Sequence, residues 1–189
     1  MWNRPVIYHT TGGVPISFID HFRLDFPACT GRLRGMSTPD LRGIRILADM
    51  TNDQVDALMS FGEVLRFAPG EKLVKQGEPA NALYLLMEGK ISAYSTDARG
   101  NETHLRTTET GGHFGEIGVL ESGVRTATVK AISDCAVFRM DAQQFRDLLK
   151  SPDLAAPLLH GLSRSLAIRL ADITNRFSEL RALKDPWMV

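Results

Sequence analysis

The chain has 189 residues, of which 43% are hydrophobic and 23% are charged, which is the composition of an ordinary one-domain globular protein. Lysine plus arginine and aspartate plus glutamate each number 22, so a net charge of zero provides no electrostatic basis for binding nucleic acid or an anionic membrane. No apolar run approaches the length of a membrane-spanning helix, and no basic and apolar secretory signal opens the sequence.

The cysteines indicate the compartment. Cys29 and Cys135 lie far apart and show neither metal-binding nor redox spacing. We therefore expect free thiols in a reducing environment and a cytoplasmic location.

Residues 1–36 fit no helical or strand pattern, with prolines and glycines among unordered aromatic residues. We expect a poorly structured N-terminal arm. Two alternatives stay open: Met36 is the true start of the protein, or the arm packs on a partner subunit.

Two short helices are expected next. Pro39 suits a first helical turn, and apolar residues then recur at steps of three, at Leu41, Ile44 and Leu47. Thr51 and Gln54 have the spacing of a capping box, which predicts a second helix ending near Gly62.

Short, glycine-punctuated strands dominate the middle of the chain. Such strands, separated by turns, are typical of an antiparallel barrel or jelly roll. The expected strands are residues 63–68, 72–75, 82–87, 90–95, 102–110, 126–132 and 135–140.

The stretch from residue 111 to residue 129, here called the cassette, combines groups that suit a nucleotide. Gly115 allows close approach of the backbone, and a helix of one or two turns from Glu116 to Leu120 would present unpaired amides to a phosphate. Arg125 offers a planar fork for phosphate oxygens. Glu116 suits a hydroxyl donor such as a ribose 2′-OH.

Asp141 is expected to cap a helix that is broken near Pro152, after which a long helix runs to about Leu183. Its apolar residues follow coiled-coil spacing, with steps of four, three, four and three, at Leu166, Leu170, Ile173, Phe177 and Leu180. This seam predicts a homodimer formed through the C-terminal helix. The alternative is a helix that lies on its own barrel.

The run Phe114-Gly115-Glu116, Leu120 and Arg125-Thr126-Ala127-Thr128-Val129 closely resembles the phosphate-binding cassette of cyclic nucleotide-binding domains. The resemblance continues through residues 46 to about 180. It implies a mainly β fold with helices: a jelly-roll barrel flanked by short N-terminal helices and a long C-terminal helix. The domains would be the arm at 1–36, the nucleotide-binding β-roll at 37–151, and a lid or dimerisation helix at 152–184.

The same resemblance implies a binding site for cAMP or cGMP that includes Gly115, Glu116, Ile117 and Arg125. A Leu105-Arg106 pair at this offset contacts guanine in cyclic-GMP-dependent kinases, and a threonine at the position of Thr126 can accept from the guanine amine. Arg106 can donate to guanine O6 and N7 but not to the adenine N6 donor, although it could equally be a solvated strand charge. Aligning the long helix with that of the catabolite activator class places Thr174 at the lid.

We therefore expect a stand-alone cyclic nucleotide sensor that is not an enzyme and that signals by movement of its C-terminal helix to an effector protein. No recognition helix follows Leu183, so no direct DNA binding is expected. The alternatives are a scaffold or interaction module with a vestigial pocket and, less favoured, a cupin-like enzyme. His104 and His113 lack the paired spacing of a cupin metal site, so no metal is expected.

Overall fold

The computed structural model describes residues 40–121 and 123–184, with side chains as far as residue 181. The predicted arm at 1–36, the alternative start at Met36 and the free thiol of Cys29 all lie outside the described residues.

The N-terminal helical region is shorter than the sequence predicts. Helix α1 (Asn52–Leu58) has the predicted capping box, with the Thr51 side chain accepting from the Gln54 amide and the Gln54 side chain accepting from the Thr51 amide. The first predicted helix is wrong, because among the described residues before α1 only Arg45–Leu47 is helical, as a single 3-10 turn. Leu41, Ile44 and Leu47 are nevertheless all buried, and successive turns join them, since the amides of Ile44 and Leu47 donate to the carbonyls three residues earlier.

Within the described residues, eight strands form two four-stranded antiparallel sheets, which confirms the predicted β-roll. The first sheet has the order β1-β8-β3-β6 and the second β2-β7-β4-β5. The strands are β1 (Glu63–Phe67), β2 (Lys72–Val74), β3 (Ala82–Glu88), β4 (Lys90–Thr96), β5 (Glu102–Glu109), β6 (His113–Phe114), β7 (Thr128–Ala131) and β8 (Cys135–Asp141).

Strand β3 divides the core in two. Leu83, Leu85 and Met87 pack in a cluster with the helices, whereas Ala82, Tyr84 and Leu86 pack inside the barrel. This alternation follows from the two-residue period of a strand. Strand β8 alternates in the same way, so two neighbouring strands link the helical layer to the barrel interior.

Three helices follow β6: α2 (Glu116–Leu120), α3 (Ala142–Leu148) and α4 (Pro152–Lys184). Asp141 caps α3 as predicted, accepting from the amides of Gln143 and Gln144. The first third of α4 is held on the core by residues four apart, Leu154, Leu158 and Leu162.

Of the five residues in the predicted seam on α4, Leu166 is half-buried and the other four are exposed to solvent. Leu170, Ile173, Phe177 and Leu180 are each between 59% and 65% exposed. The alternative in which this stretch lies on its own barrel is therefore wrong for this structure. Within the part of the chain that is described, no helix has the length and apolar character needed to cross a membrane.

Candidate functional site

Gly115 lets the chain turn sharply from β6 into α2. Its φ of 84° lies in the left-handed region that favours glycine. A Cβ atom here would lie 2.7 Å from Nη1 of Arg125 and 2.5 Å from the carbonyl oxygen of Ala82. Helix α2 begins at Glu116 and ends at Leu120, the bounds that the sequence predicts.

Arg125 is buried beside this turn, with only 6% of its surface exposed. Its Nη1 donates to the carbonyl of Ala82 at 3.0 Å, and its guanidinium carbon lies 5.3 Å from the centroid of the Tyr84 ring. The backbone is fixed as well, since the Arg125 amide donates to the Glu78 carbonyl at 2.7 Å. Burial lowers the pKa of Arg125, yet a guanidinium stays protonated in proteins. The site therefore holds a rigid, buried positive fork.

Glu116 is the buried acid of the site, with 4% of its surface exposed. Its Oε1 accepts a hydrogen bond from Nη1 of Arg169, a residue of α4. Its Oε2 is buried and has no hydrogen-bond partner among the described residues. One oxygen of this carboxylate is therefore satisfied by the protein, and the other is available to a donor from outside.

Arg169 makes two further contacts, both with His113 in β6. Its Nη2 lies 3.0 Å from the His113 Nε2 and donates to the His113 carbonyl at 3.1 Å. Burial, together with the charges of Arg169, Arg106 and Arg45, lowers the pKa of His113 to about 3. The imidazole is therefore neutral at physiological pH, and its Nε2 accepts from Arg169.

The three residues predicted to contact the base differ in their exposure. Arg106 of β5 is half-buried, and burial followed by the charge of Arg169 lowers its pKa, while the charge of Glu116 raises it. Arg106 is therefore close enough to Glu116 and Arg169 for their charges to change its pKa. Leu105 is 47% exposed, and Thr126 is also exposed at the end of the cassette.

Ile117 and Thr174, which the sequence also predicts to bind the ligand, are exposed to solvent. Ile117 is 50% exposed in the first turn of α2. Thr174 is exposed, and its hydroxyl donates at 2.8 Å to the Leu170 carbonyl of its own helix. In the described part of the chain, the hydrogen bonds between α4 and the cassette are made by Arg169, whereas the Thr174 hydroxyl bonds within its own helix.

Arg169 was missed by sequence reasoning, which examined α4 only for its apolar period and its lid position. Its partners Glu116 and His113 lie 53 and 56 residues away in the chain. A single arginine at that distance leaves no local pattern, although a basic side chain on the lid helix facing a buried carboxylate could have been sought. Across residues 40–121 and 123–184, no group of three histidine, cysteine or acidic side chains could hold a metal ion.

Comparison with known proteins identifies the domain. Residues 64–151 match the cyclic nucleotide-binding domain family. The "cAMP-activated global transcriptional regulator CRP" of Pasteurella multocida is 33% identical over 127 residues, which cover 66% of this chain and 59% of that protein. The chain thus spans somewhat more than half the length of this curated relative.

Two solved structures show the same fold. The catabolite activator protein of Thermus thermophilus superposes with a TM-score of 0.65 at 26% identity, covering 72% of this chain and 63% of that one. The regulatory subunit of a cAMP-independent protein kinase A from Trypanosoma brucei superposes with a TM-score of 0.58 at 26% identity, covering 66% of this chain and 44% of that one. By the match of residues 64–151, the β-roll and these relatives, the chain contains a domain of the cyclic nucleotide-binding domain family.

Proposed function

We propose that this chain is a regulatory sensor that binds cAMP or cGMP in its cassette and is not itself an enzyme. The observation that carries the proposal is the convergence of a buried arginine fork and a buried carboxylate with one unpartnered oxygen on the two sides of Gly115. A cyclic nucleotide presents an anionic phosphate next to a ribose hydroxyl donor. The site offers a positive group for the phosphate, Arg125, and an acceptor for the hydroxyl, Glu116, beside the same turn of the backbone.

The phosphate is held by Arg125 and by the first amides of α2. Only Nη1 of Arg125 donates to Ala82, and a guanidinium carries five N–H donors in all. The fork therefore has more donors than the Ala82 carbonyl uses, and the amides of Glu116 and Ile117 begin a helix whose first turn lacks internal partners. The ribose 2′-OH is held by Glu116.

The base is contacted by Arg106, Leu105 and Thr126, while Thr174 remains a proposed lid residue that requires α4 to shift. The relatives do not choose between the two ligands. The Pasteurella multocida protein is described as cAMP-activated, and the Trypanosoma brucei kinase as cAMP-independent. The choice is therefore argued from Arg106, whose donors match the acceptors O6 and N7 of guanine.

The output passes through α4. Its seam of exposed apolar side chains follows coiled-coil spacing, so a second copy of the chain is the proposed partner along the helix. Ligand binding shifts α4 between positions, and an effector protein receives the change. The β-roll at 37–151 and the helix at 152–184 are the proposed sensing and transmitting units.

A thermal shift screen with cAMP, cGMP, ATP and divalent metal ions tests this function. Free ligand at a hundredfold its dissociation constant should stabilise the folded state by about 2.7 kcal/mol. We expect stabilisation by a cyclic nucleotide and none by ATP or metal alone. Stabilisation by metal alone would support the cupin-like enzyme, and no stabilisation by any compound would support the vestigial scaffold.

The matched variant for this screen is Arg125→Lys. Alanine would also remove the bond to Ala82 and open a void beside Tyr84, so it would confound folding with binding. Lysine keeps the charge but lacks the planar fork, and we expect it to weaken nucleotide binding by about 1.5–3 kcal/mol. Arg99→Lys, in the exposed hairpin turn between β4 and β5, should leave binding unchanged. Equal affinity in both variants would exclude Arg125 as the phosphate anchor.

A further inference from the structure

The side chain of Tyr84 in β3 contacts both ends of the cassette. It is buried, and its ring stacks on that of Phe114, with the ring centroids 4.6 Å apart and the two planes 1° from parallel. The guanidinium carbon of Arg125 lies 5.3 Å from the centroid of the same Tyr84 ring. Phe114 directly precedes the turn at Gly115, and Arg125 lies at the other end of the cassette loop. One aromatic ring of the sheet therefore joins the two segments that the proposed phosphate site combines.

The Tyr84 ring also lies against the turn itself. A Cβ atom on Gly115 would be 3.3 Å from Cδ2 of Tyr84 and 2.7 Å from Nη1 of Arg125. Strand β3 is paired on both sides, with Phe114 of β6 and Arg139 of β8 as the direct neighbours of Tyr84. The ring is therefore mounted on a central strand, and the turn and the arginine pack around it.

The hydrogen bond from Arg125 to the Ala82 carbonyl, 3.0 Å long, does not by itself orient the guanidinium. A carbonyl oxygen accepts over a broad range of directions, so a guanidinium held by one bond can still rotate about it. A second contact at a different part of the group is needed to fix its plane. The Tyr84 ring provides that contact, because a cation is attracted to an aromatic ring and the attraction is stronger when both are withdrawn from water.

We propose, building on the function proposed above, that Tyr84 is a positioning residue that fixes the plane of the Arg125 guanidinium at the phosphate site. An arginine that binds an anion through two N–H groups gains geometric specificity as well as energy. With its plane fixed, the guanidinium distinguishes the two exocyclic oxygens of a cyclic phosphate. The stack on Phe114 keeps the ring itself in place.

The alternative is that Tyr84 only fills the barrel interior, where it packs with Ala82 and Leu86. A residue that only fills the core changes stability, and lower stability reduces the apparent affinity for every nucleotide by the same factor, because less of the protein is folded. A positioning residue changes the relative affinities of ligands that differ only at the phosphate. The ratio of two such affinities therefore separates the two roles.

The test uses the two phosphorothioate diastereomers of cAMP and of cGMP, in which sulfur replaces one or the other exocyclic oxygen. Because sulfur is the weaker hydrogen-bond acceptor, we expect the wild type to prefer one diastereomer by about tenfold. Tyr84→Phe keeps the ring and should keep this preference. Tyr84→Leu removes the ring, and the preference should fall to about twofold.

Two control variants match different features of Tyr84. Tyr94 in β4 also contacts a second ring and a cation, since its ring centroid lies 5.5 Å from that of His104 and 5.0 Å from Nζ of Lys130, but it lies outside the cassette. Phe138 is a buried aromatic residue of the other core cluster. Tyr94→Leu and Phe138→Leu should both keep the diastereomer preference of the wild type, although Phe138→Leu should unfold at a lower urea concentration.

A further variant, Phe114→Leu, removes the ring on which Tyr84 stacks and tests the role even if Tyr84→Leu does not fold. We expect a smaller loss of the preference in the same direction. An unchanged preference in Tyr84→Leu, or in Phe114→Leu where Tyr84→Leu is unfolded, would overturn the positioning role.

Three other outcomes are informative. If Tyr84→Phe loses as much of the preference as Tyr84→Leu, the ring is not what orients Arg125, and the proposal is wrong. A wild type that binds cAMP or cGMP but treats both diastereomers equally would also overturn the positioning role, while the sensor function would stand. A wild type that binds no cyclic nucleotide would overturn the sensor function, and this role with it.

Discussion

At the scale of single residues, the site retains two buried charged groups that folding alone would not favour. Glu116 and Arg125 are 4% and 6% exposed, and burial of a charge is costly unless it is paired and hydrogen-bonded. Arg169 compensates half of the Glu116 carboxylate, and the Ala82 carbonyl compensates part of Arg125. The second carboxylate oxygen of Glu116 and the rest of the Arg125 guanidinium are the groups that a ligand would contact.

The proposed contact between Arg106 and the nucleotide base gives a testable prediction. Arg106→Ala should weaken cGMP binding by about 1–3 kcal/mol and leave cAMP nearly unchanged, because only guanine accepts two bonds from arginine. Thr126→Ala should act in the same direction but more weakly. Competition binding with both nucleotides measures the effect, with Arg99→Ala on the exposed hairpin turn as the control. Equal losses for both nucleotides would instead assign Arg106 to general electrostatic attraction.

The neutral imidazole of His113 predicts a pH dependence of stability. Its pKa is lowered from 6.5 to about 3 in the folded chain, so between these values the unfolded state binds the extra proton. The free energy of unfolding should therefore fall as pH decreases below about 6.5, with a contribution approaching 1.4 kcal/mol per pH unit from this residue.

Urea unfolding between pH 7 and pH 5 measures this contribution as a difference between variants. His113→Gln removes the titration but keeps an amide oxygen that can accept from Arg169, so its unfolding free energy should vary less with pH than that of the wild type. His104→Gln, at an exposed position of β5, should follow the wild type. Parallel curves for all three proteins would show that His113 does not titrate as described.

At the scale of elements, α4 has a docked part and a free part. Gly161 marks the point of closest approach, because a Cβ atom there would overlap the carbonyl oxygen of Ile46. The helix can therefore lie against the 3-10 turn only with glycine at this position. Beyond Leu162, the large apolar residues from Ile168 onward are exposed, so the same helix packs first on the core and then faces solvent.

Gly161→Ala should undo that close approach. Alanine gains about 1 kcal/mol of helix propensity over glycine, but the clash with rigid backbone should cost about 1–3 kcal/mol or more. We expect net destabilisation in urea unfolding and weaker docking of α4. Gly123→Ala is the control, since a Cβ atom there would meet no atom within 4 Å. A stability gain in Gly161→Ala would show that the helix can move away without loss.

At the scale of the whole molecule, the exposed seam is a surface that the chain alone leaves uncovered. Four exposed apolar residues along one face of the helix are unfavourable in water, and a second copy would bury them with matching coiled-coil spacing. Four of the five seam residues lie beyond Arg169, the residue that bonds the helix to the cassette. A dimer along α4 would therefore place two nucleotide sites at the two sides of one shared helical pair.

Replacing Leu170 and Ile173 together with glutamate should yield monomers, because four charges would enter the dimer seam. Sedimentation or light scattering measures the mass. The matched control is the pair Ala171→Glu and Asn175→Glu, which adds the same charge to the outer face of the same turns. A wild type that is monomeric at high concentration would exclude the seam as a contact between copies.

Local patterns in the sequence determined the family and most of the fold. The spacing from Phe114 to Val129 lies within one continuous segment, and its glycine, acid and arginine are constrained by the backbone next to them. The capping boxes at Thr51 and Asp141 and the glycine-bounded strands are likewise local, and the structure agrees with them. Strand β6 escaped notice because two residues carry no period, and its pairing with β3 alone defines it.

Only the tertiary structure decided how the site is completed. The contact of Arg169 with Glu116 and His113 joins residues more than 50 positions apart, and it depends on where the docking at Gly161 places α4 over β6. The division of the two Glu116 oxygens, one paired and one unpartnered, also exists only in three dimensions. Sequence spacing specifies which groups one segment carries, whereas packing between distant elements determines which of those groups remain available to a ligand.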